Sequence, residues 1–330
     1  MTRVTNRLRR GCVLLLIFFG LAPQIVQAAA DYPARIIRII APFSAGGGVD
    51  IISRLLADKM SKDLHQEVIV LNRPGATGNI GTEIVAKSDP DGYTLLMGNE
   101  ATNAIAKSIF KTLTYDPTDD FAPISLVARV PEVLVVRPTI PATSVAELIA
   151  LAKDKPAQLT YGSAGIGSPP HLAAALFALN ADINIRGIPY KGSAPALTDL
   201  IGGRIDMYFA NILSAMPYIK GGQLRALAIT GAQRSKVAPT IPTIAESGLP
   251  GYEEYNWYGI LAPKGTPETI IDKIHDEIVK ALSDEALAKS LDQQGAEIIG
   301  DSPAQFAEYI RKEAEKYADV VRRANISVKN

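Results

Sequence analysis

Arg35-Ile36-Ile37-Arg38-Ile39-Ile40-Ala41-Pro42-Phe43-Ser44-Ala45-Gly46-Gly47-Gly48-Val49-Asp50 holds a strand, a glycine-serine loop and a helix start in one short run. The apolar, β-branched stretch from Ile36 to Ala41 reads as a buried strand. Val49 to Leu64 then carries Ile52, Leu55, Leu56 and Met60 on one helical face. A helix start offers unpaired backbone N–H groups and a partial positive charge. The same arrangement returns at Tyr161-Gly162-Ser163-Ala164-Gly165-Ile166-Gly167-Ser168-Pro169-Pro170-His171, again between a strand and a helix pattern. Two such starts facing each other across a cleft would clamp a small anion, which points to a carboxylate-binding protein more than to an enzyme.

The rest of the chain keeps that rhythm. Val68 to Leu71 and Thr94 to Met97 read as strands, with helices ending at Ala86 and running from Thr102 to Ile109. This predicts a mostly parallel sheet with helices on both faces, binding its ligand at the carboxyl ends of the strands. Phe121 to Val136 reads as one long extended run. Ser144 is expected to cap a helix from Val145, with Glu147 completing a capping box. Strands follow at Thr160 to Ser163, Ile183 to Tyr190, Ile205 to Ala210 and Leu224 to Thr230, with helices between them. Tyr255 to Pro263 crosses back as an extended segment, and two charged amphipathic helices, Pro267 to Ser283 and Pro303 to Ala324, close the chain. The expectation is an α/β protein of two lobes, with residues 31–132 and 252–330 in lobe 1 and residues 133–251 in lobe 2.

The 330-residue chain is 47% hydrophobic and 21% charged, an ordinary globular composition. Arg3, Arg7, Arg9 and Arg10 precede an apolar run from Val13 to Leu21, which is of signal-peptide length and too short to span a bilayer. Cleavage is expected after Ala28 or Ala30, with residues 1–30 as the signal peptide and the periplasm as destination. Removal takes away four of the 34 basic residues and none of the 34 acidic ones, leaving a net charge of about −4. The single cysteine, Cys12, leaves with the signal, so no disulfide or thiolate chemistry remains. No basic patch interleaved with aromatics suggests nucleic acid.

The ordered set of motifs resembles a known family. It runs from Pro42-Phe43-Ser44-Ala45-Gly46-Gly47-Gly48-Val49-Asp50 through Asn72-Arg73-Pro74-Gly75-Ala76-Thr77-Gly78-Asn79 and Asp89-Pro90-Asp91-Gly92-Tyr93. Tyr161-Gly162-Ser163-Ala164-Gly165, Pro189-Tyr190-Lys191-Gly192-Ser193, Gly203-Arg204-Ile205-Asp206 and Trp257-Tyr258-Gly259 continue it. The chain is similar to the Bug or TctC family, the periplasmic receptors of tripartite tricarboxylate transporters. The resemblance implies a periplasmic-binding-protein-like, Venus-flytrap fold that grips a ligand carboxylate through loop N–H groups, hydroxyls and waters. It implies no catalysis and no cofactor, a small organic carboxylate as ligand, integral-membrane transporter subunits as partners, and a monomer.

The expected ligand site takes Phe43, Ser44, Ala45, Gly46, Gly47, Gly48 and Asp50 from the first loop. It takes Ser163, Ala164, Gly165, Ser168 and His171 from the second, and Asn99, Thr102, Tyr190 and Asn211 from other strand ends. Asp50 has two readings: complement to the helix dipole, or partner of a ligand cation. Ser168 is a helix cap, a ligand contact or both. His171 braces the loop or meets the ligand. His65 and His275 lie far off in sequence, so no metal constellation is expected. Lys191 adds charge to the site or is simply solvated. Trp257 and Tyr258 stack on ligand or pack the hinge. The rivals are an exported α/β hydrolase built on Ser163 and His171, which lacks a nucleophile elbow, and a sensor subunit for a membrane kinase.

Overall fold

The computed structural model describes residues 32–327 apart from residues 191 and 294. The signal-peptide expectation and the reading of Lys191 lie outside the described residues. Strands β1 (Ile37–Ala41), β2 (Val68–Asn72) and β3 (Thr94–Gly98) pair in parallel, with β1 in the middle. Ile37, Ile39, Ile40 and Ala41 are all buried, as a strand covered on both faces requires. Helix α1 (Gly48–Leu64) follows β1 and buries Ile52, Leu56, Ala57 and Met60 along one face. It stops at His65, whose φ of 50° leaves helical space. Helix α2 (Asn79–Ala86) follows β2. After β3 the expected helix starts as a π-helical turn over Ala101–Ile105 and becomes α-helical only in α3 (Ala106–Ile109).

The long extended run divides at Pro131 into β4 (Phe121–Val130) and β5 (Glu132–Val136), which belong to different sheets. Proline has no N–H to donate, so a ladder is readily broken there. The first sheet has the order β11-β4-β10-β3-β1-β2, where β10 is Asn256–Pro263 and β11 is Glu297–Ile298. The second has the order β7-β6-β8-β5-β9, built from β6 (Thr160–Ser163), β7 (Arg186–Pro189), β8 (Met207–Asn211) and β9 (Arg225–Ile229). Both sheets are mixed, which corrects the expectation of mostly parallel ones. The βαβ runs β1-β2-β3 and β6-β7-β8 supply the parallel pairings. The strands at the crossings enter the other way: β10 is antiparallel to β3 and β4, and β5 is antiparallel to β8 and β9.

Helices α4 (Val145–Asp154), α5 (Pro169–Ala181), α6 (Ser193–Ile201) and α7 (Ile212–Lys220) flank the second sheet. Ser144 caps α4 by accepting from Glu147 N at 3.2 Å, but the box is not closed as expected: the Glu147 carboxylate reaches Thr143 N and Oγ1 instead. The full reciprocal box lies elsewhere, between Ser302 and Gln305 at the start of α10 (Pro303–Arg323). Helix α8 (Glu268–Leu282) matches the sequence reading, whereas the short α9 (Glu285–Gln293) and β11 carry too few residues for their periodicity to be read. Helix α10 does more than close the chain. Its Phe306, Ile310, Tyr317 and Val321 share one core with Trp257 and Leu261 of β10 and with Leu172 and Ala175 of α5. It therefore packs on the first sheet and on α5, a helix that flanks the second, and Pro33 onward forms one compact unit.

Candidate functional site

A cleft of about 800 Å³ opens at the strand ends where the loops of both sheets meet. That volume lies within the usual range for small-molecule sites. Phe43, Ser44, Ala45, Gly46, Gly47 and Gly48 line one wall, together with Thr77, Asn99 and Tyr258. Ala164, Ser168, Asn211 and Ser214 line the other, with Gly192, Ser193 and Ala194 at the start of α6. Among the described residues no arginine or lysine lines the cleft, and Glu132 is the one carboxyl on its wall.

The first loop has a specific architecture. Asp50 turns back under it: Oδ2 accepts from Gly46 N at 2.9 Å, while Oδ1 accepts from Arg54 Nε at 3.0 Å and Asn72 Nδ2 at 2.9 Å. Burial pushes the Asp50 carboxyl up, but these bonds and the Arg54 charge outweigh it and hold it below its ordinary value. Asp50 is buried and off the cleft wall, so it braces the loop. Asn72 also donates to Phe43 O at 3.0 Å, which fixes the other end of the turn. Gly47 caps α1 with no side-chain bond, so the first N–H groups of the helix stay open to the cleft. Gly48 must lack a side chain, because a Cβ there would run into the Tyr258 hydroxyl. Replacing Asp50 with alanine leaves Gly46 N, Asn72 and Arg54 without their acceptor. We expect a loss of about 1–3 kcal/mol of stability together with weaker ligand binding. Urea unfolding and calorimetry check this; weaker binding with unchanged stability is the signature of direct ligand contact instead.

The second loop differs from the sequence picture. Ser168 is the N-cap residue of α5, but its hydroxyl donates back to Gly165 O at 2.7 Å. Pro169 and Pro170 occupy the first helical positions and have no N–H to offer. Gly167 N donates to His171 Nδ1 at 3.0 Å. His171 thus braces the loop. It lies on a separate groove against α10, lined also by Tyr161, Asp182 and Arg323. Burial lowers its pKa to about 4. Ser163 is buried behind the wall, where its carbonyl accepts from Tyr190 N. Gly165 is likewise off the wall, and its φ of 127° serves the turn. The Tyr190 hydroxyl donates to Asp199 at 2.9 Å, away from the cleft. Thr102 is buried and positions Asn99: its N–H donates to Asn99 Oδ1 at 3.2 Å, its Oγ1 accepts from Asn99 N at 3.0 Å, and its hydroxyl donates to Asn103 Oδ1 at 2.8 Å. Asn99 itself lines the cleft.

The start of α6, where the sequence places Ser193 at a ligand-facing strand end, also stands on the second wall of the cleft. Gly192 caps it with φ 121° and no side-chain bond. Gly192, Ser193 and Ala194 at the start of α6 therefore share the second wall with Ala164, Ser168, Pro169 and Pro170 at the start of α5. Gly192-Ser193 followed by helix periodicity was the available signal. Trp257 and Tyr258 divide the two readings between them, because successive strand residues point to opposite faces. Tyr258 lines the cleft, whereas Trp257 is fully buried against Phe306 and Tyr309 of α10.

The profile of the tripartite tricarboxylate transporter family receptor matches residues 52–326. The chain belongs to that receptor family. The receptor is 39% identical to protein BugT of Bordetella pertussis over 315 residues, which cover 95% of this chain and 97% of BugT. Among solved structures it resembles R. palustris Rpa4515 with adipate: TM-score 0.83, 37% identity, covering 90% of this chain and all of that one. It also resembles MatC from Rhodopseudomonas palustris with bound malate: TM-score 0.78, 31% identity, covering 88% of this chain and all of that one. The fold of the receptor is thus the two-lobed one of periplasmic binding proteins, with two mixed sheets flanked by helices.

Proposed function

We propose that this receptor captures a small dicarboxylate between its lobes in the periplasm and hands it to an integral-membrane transporter. The single observation that carries the ligand class is the cleft wall: open helix starts at Gly48 and Ser193, with hydroxyl and amide donors and, among the described residues, no guanidinium or ammonium. Such a surface binds a carboxylate through N–H dipoles. The ligands of the related proteins, adipate and malate, are of the same chemistry. In this reading the expected bounds, residues 31–132 with 252–330 for one lobe and 133–251 for the other, shift slightly: Pro131 divides the lobes, and Glu132 and Tyr252 go with the second sheet. The lobes close on the ligand about Pro131 and the 230–255 crossing, as a hinge. Capture and release suffice as a mechanism. The exported chain begins after a cleavage near Ala28 or Ala30 and acts as a monomer.

A thermal-shift panel of mono-, di- and tricarboxylates tests the reading, with calorimetry on the best compound. A ligand present at 100 times its dissociation constant adds about 2.7 kcal/mol of stability. We expect adipate or malate among the stabilising compounds, and no response to any carboxylate overturns the proposal.

A further inference from the structure

Glu132 stands directly after Pro131 and opens β5, opposite Asn211 of β8. It lines the cleft, yet only 2% of it is exposed, and its Oε2 has no hydrogen-bond partner. Its backbone is tightly held: its N–H donates to Thr230 Oγ1 at 2.7 Å, and its carbonyl accepts from Thr230 N at 2.9 Å. Thr230 O in turn accepts from Glu254 N at 3.0 Å, which brings the two crossing segments together. Glu100, after β3, joins them through a bond from Trp257 N to its Oε2 at 3.1 Å. Glu100 and Glu254 each also keep one carboxyl oxygen unpartnered. Three buried carboxyls therefore meet where the chain passes between sheets. Tyr208, Tyr252 and Tyr258 face Glu132 from β8, the crossing segment and β10. Lys316 of α10 acts on Glu254 and bonds Glu313 at 3.2 Å, and no described cation is among the charges that act on Glu132. Buried carboxyls without a cation stay un-ionised.

We propose that Glu132 is a specificity residue of the cleft floor, which as an un-ionised acid donates a hydrogen bond to a carboxylate oxygen of the bound ligand. The inference rests on the carboxylate reading above. Burial, with repulsion from Glu254 and Glu100, pushes Glu132 well above its ordinary range, in the direction the contact needs. Once ionised, the same group would face the ligand carboxylate with like charge. Ligand and proton therefore bind together, and a ligand that presents an ammonium group to this position is disfavoured. An isolated cation-seeking acid would show the reverse preference.

Calorimetry with adipate on the full mature receptor, between pH 6.5 and 9, tests the idea. Adipate itself keeps constant charge over that range. The wild-type affinity is expected to fall with rising pH, approaching tenfold per pH unit above the ionisation of Glu132. Titrations in two buffers of different ionisation enthalpy should show net proton uptake on binding. Glu132→Gln keeps the shape and a donor but cannot ionise, so it should lose most of the slope and bind at least as tightly as wild type at pH 9. A wild-type affinity that is flat or rises with pH overturns the proposal without any variant. So does a Glu132→Gln protein with the wild-type slope. If adipate fails, the stabilising dicarboxylate of the panel replaces it. Failure of every carboxylate overturns the functional reading and this inference together, whereas binding with the wrong slope overturns this inference alone.

Discussion

Replacing Trp257 with alanine lowers the free energy of unfolding by about 3–5 kcal/mol, the usual cost of removing a buried aromatic from a core. Trp257 lies on β10, fully buried, with its ring edge-on to Phe306 at 5.6 Å and to Tyr309 at 5.9 Å. Its backbone N–H donates to the buried Glu100. The cavity would open beneath α10, the helix that joins the first sheet to α5. Relaxation there is limited, because Gly259 on the same strand leaves Phe306 in direct contact with the backbone. Urea unfolding followed by circular dichroism reads the loss, since the variant no longer has the chain's one tryptophan. Trp257→Phe should recover part of it. A loss below about 1 kcal/mol, typical of surface positions, would refute the assignment of this ring to the core.

Stability should also fall as the pH rises from 6.5 to 8. Burial raises the carboxyls of Glu100, Glu132 and Glu254, and Glu254 is pushed up to about 8. For an acid whose folded pKa lies above its unfolded one, the folded state keeps a proton that the unfolded state has released. Stability is then highest below the unfolded pKa and declines until the folded pKa is passed. Each such group costs about 1.4 kcal/mol per pH unit in that window. His171 has the opposite sign. Burial lowers it from 6.5 to about 4, so its contribution to stability grows with pH between those values and is level above 6.5. Asp301, raised by burial to about 6, has the sign of the glutamates but has released its proton by pH 6.5. Above 6.5 the glutamates act unopposed, and Glu254 alone gives a loss of about 2 kcal/mol by pH 8. The urea midpoint at the two pH values measures it, provided the slope of the transition is constant. Glu254→Gln should flatten the profile, and a midpoint that rises with pH contradicts the assignment.

The first loop was legible because its chemistry is local. Strand, turn and helix start are consecutive, and six of the expected residues, Phe43 through Gly48, stand on the cleft wall. The second loop was legible in part, with Ala164 and Ser168 on the wall. Pro169-Pro170 marks a helix start clearly, but the same two residues remove the N–H groups that make a helix start useful to an anion. Asp50, Thr102 and His171 are near the site in sequence, and their polar atoms are consumed in holding the loops. Nothing in residue type separates a polar group that meets a ligand from one that meets the backbone four residues away. Asn99 reaches the wall only because Thr102 occupies its acceptor.

Hydrophobic periodicity, loop chemistry and the ordered motifs by themselves determined the α/β class, the family, the order of nearly all elements and the first loop of the cleft wall. These depend on neighbours in the chain, which the sequence prints side by side. Tertiary structure alone decided four other things: the antiparallel entry of β5 and β10, the placing of the α6 start on the cleft wall beside Ala164 and Ser168, the burial of Trp257 beside a cleft-lining Tyr258, and the meeting of Glu100, Glu132 and Glu254. Those glutamates are separated by long stretches of chain, and in the sequence only Glu100 stands out, at a ligand-facing strand end. Only the crossing of the chain between two sheets removes them from water together, and that loss of solvent is what gives them their chemistry.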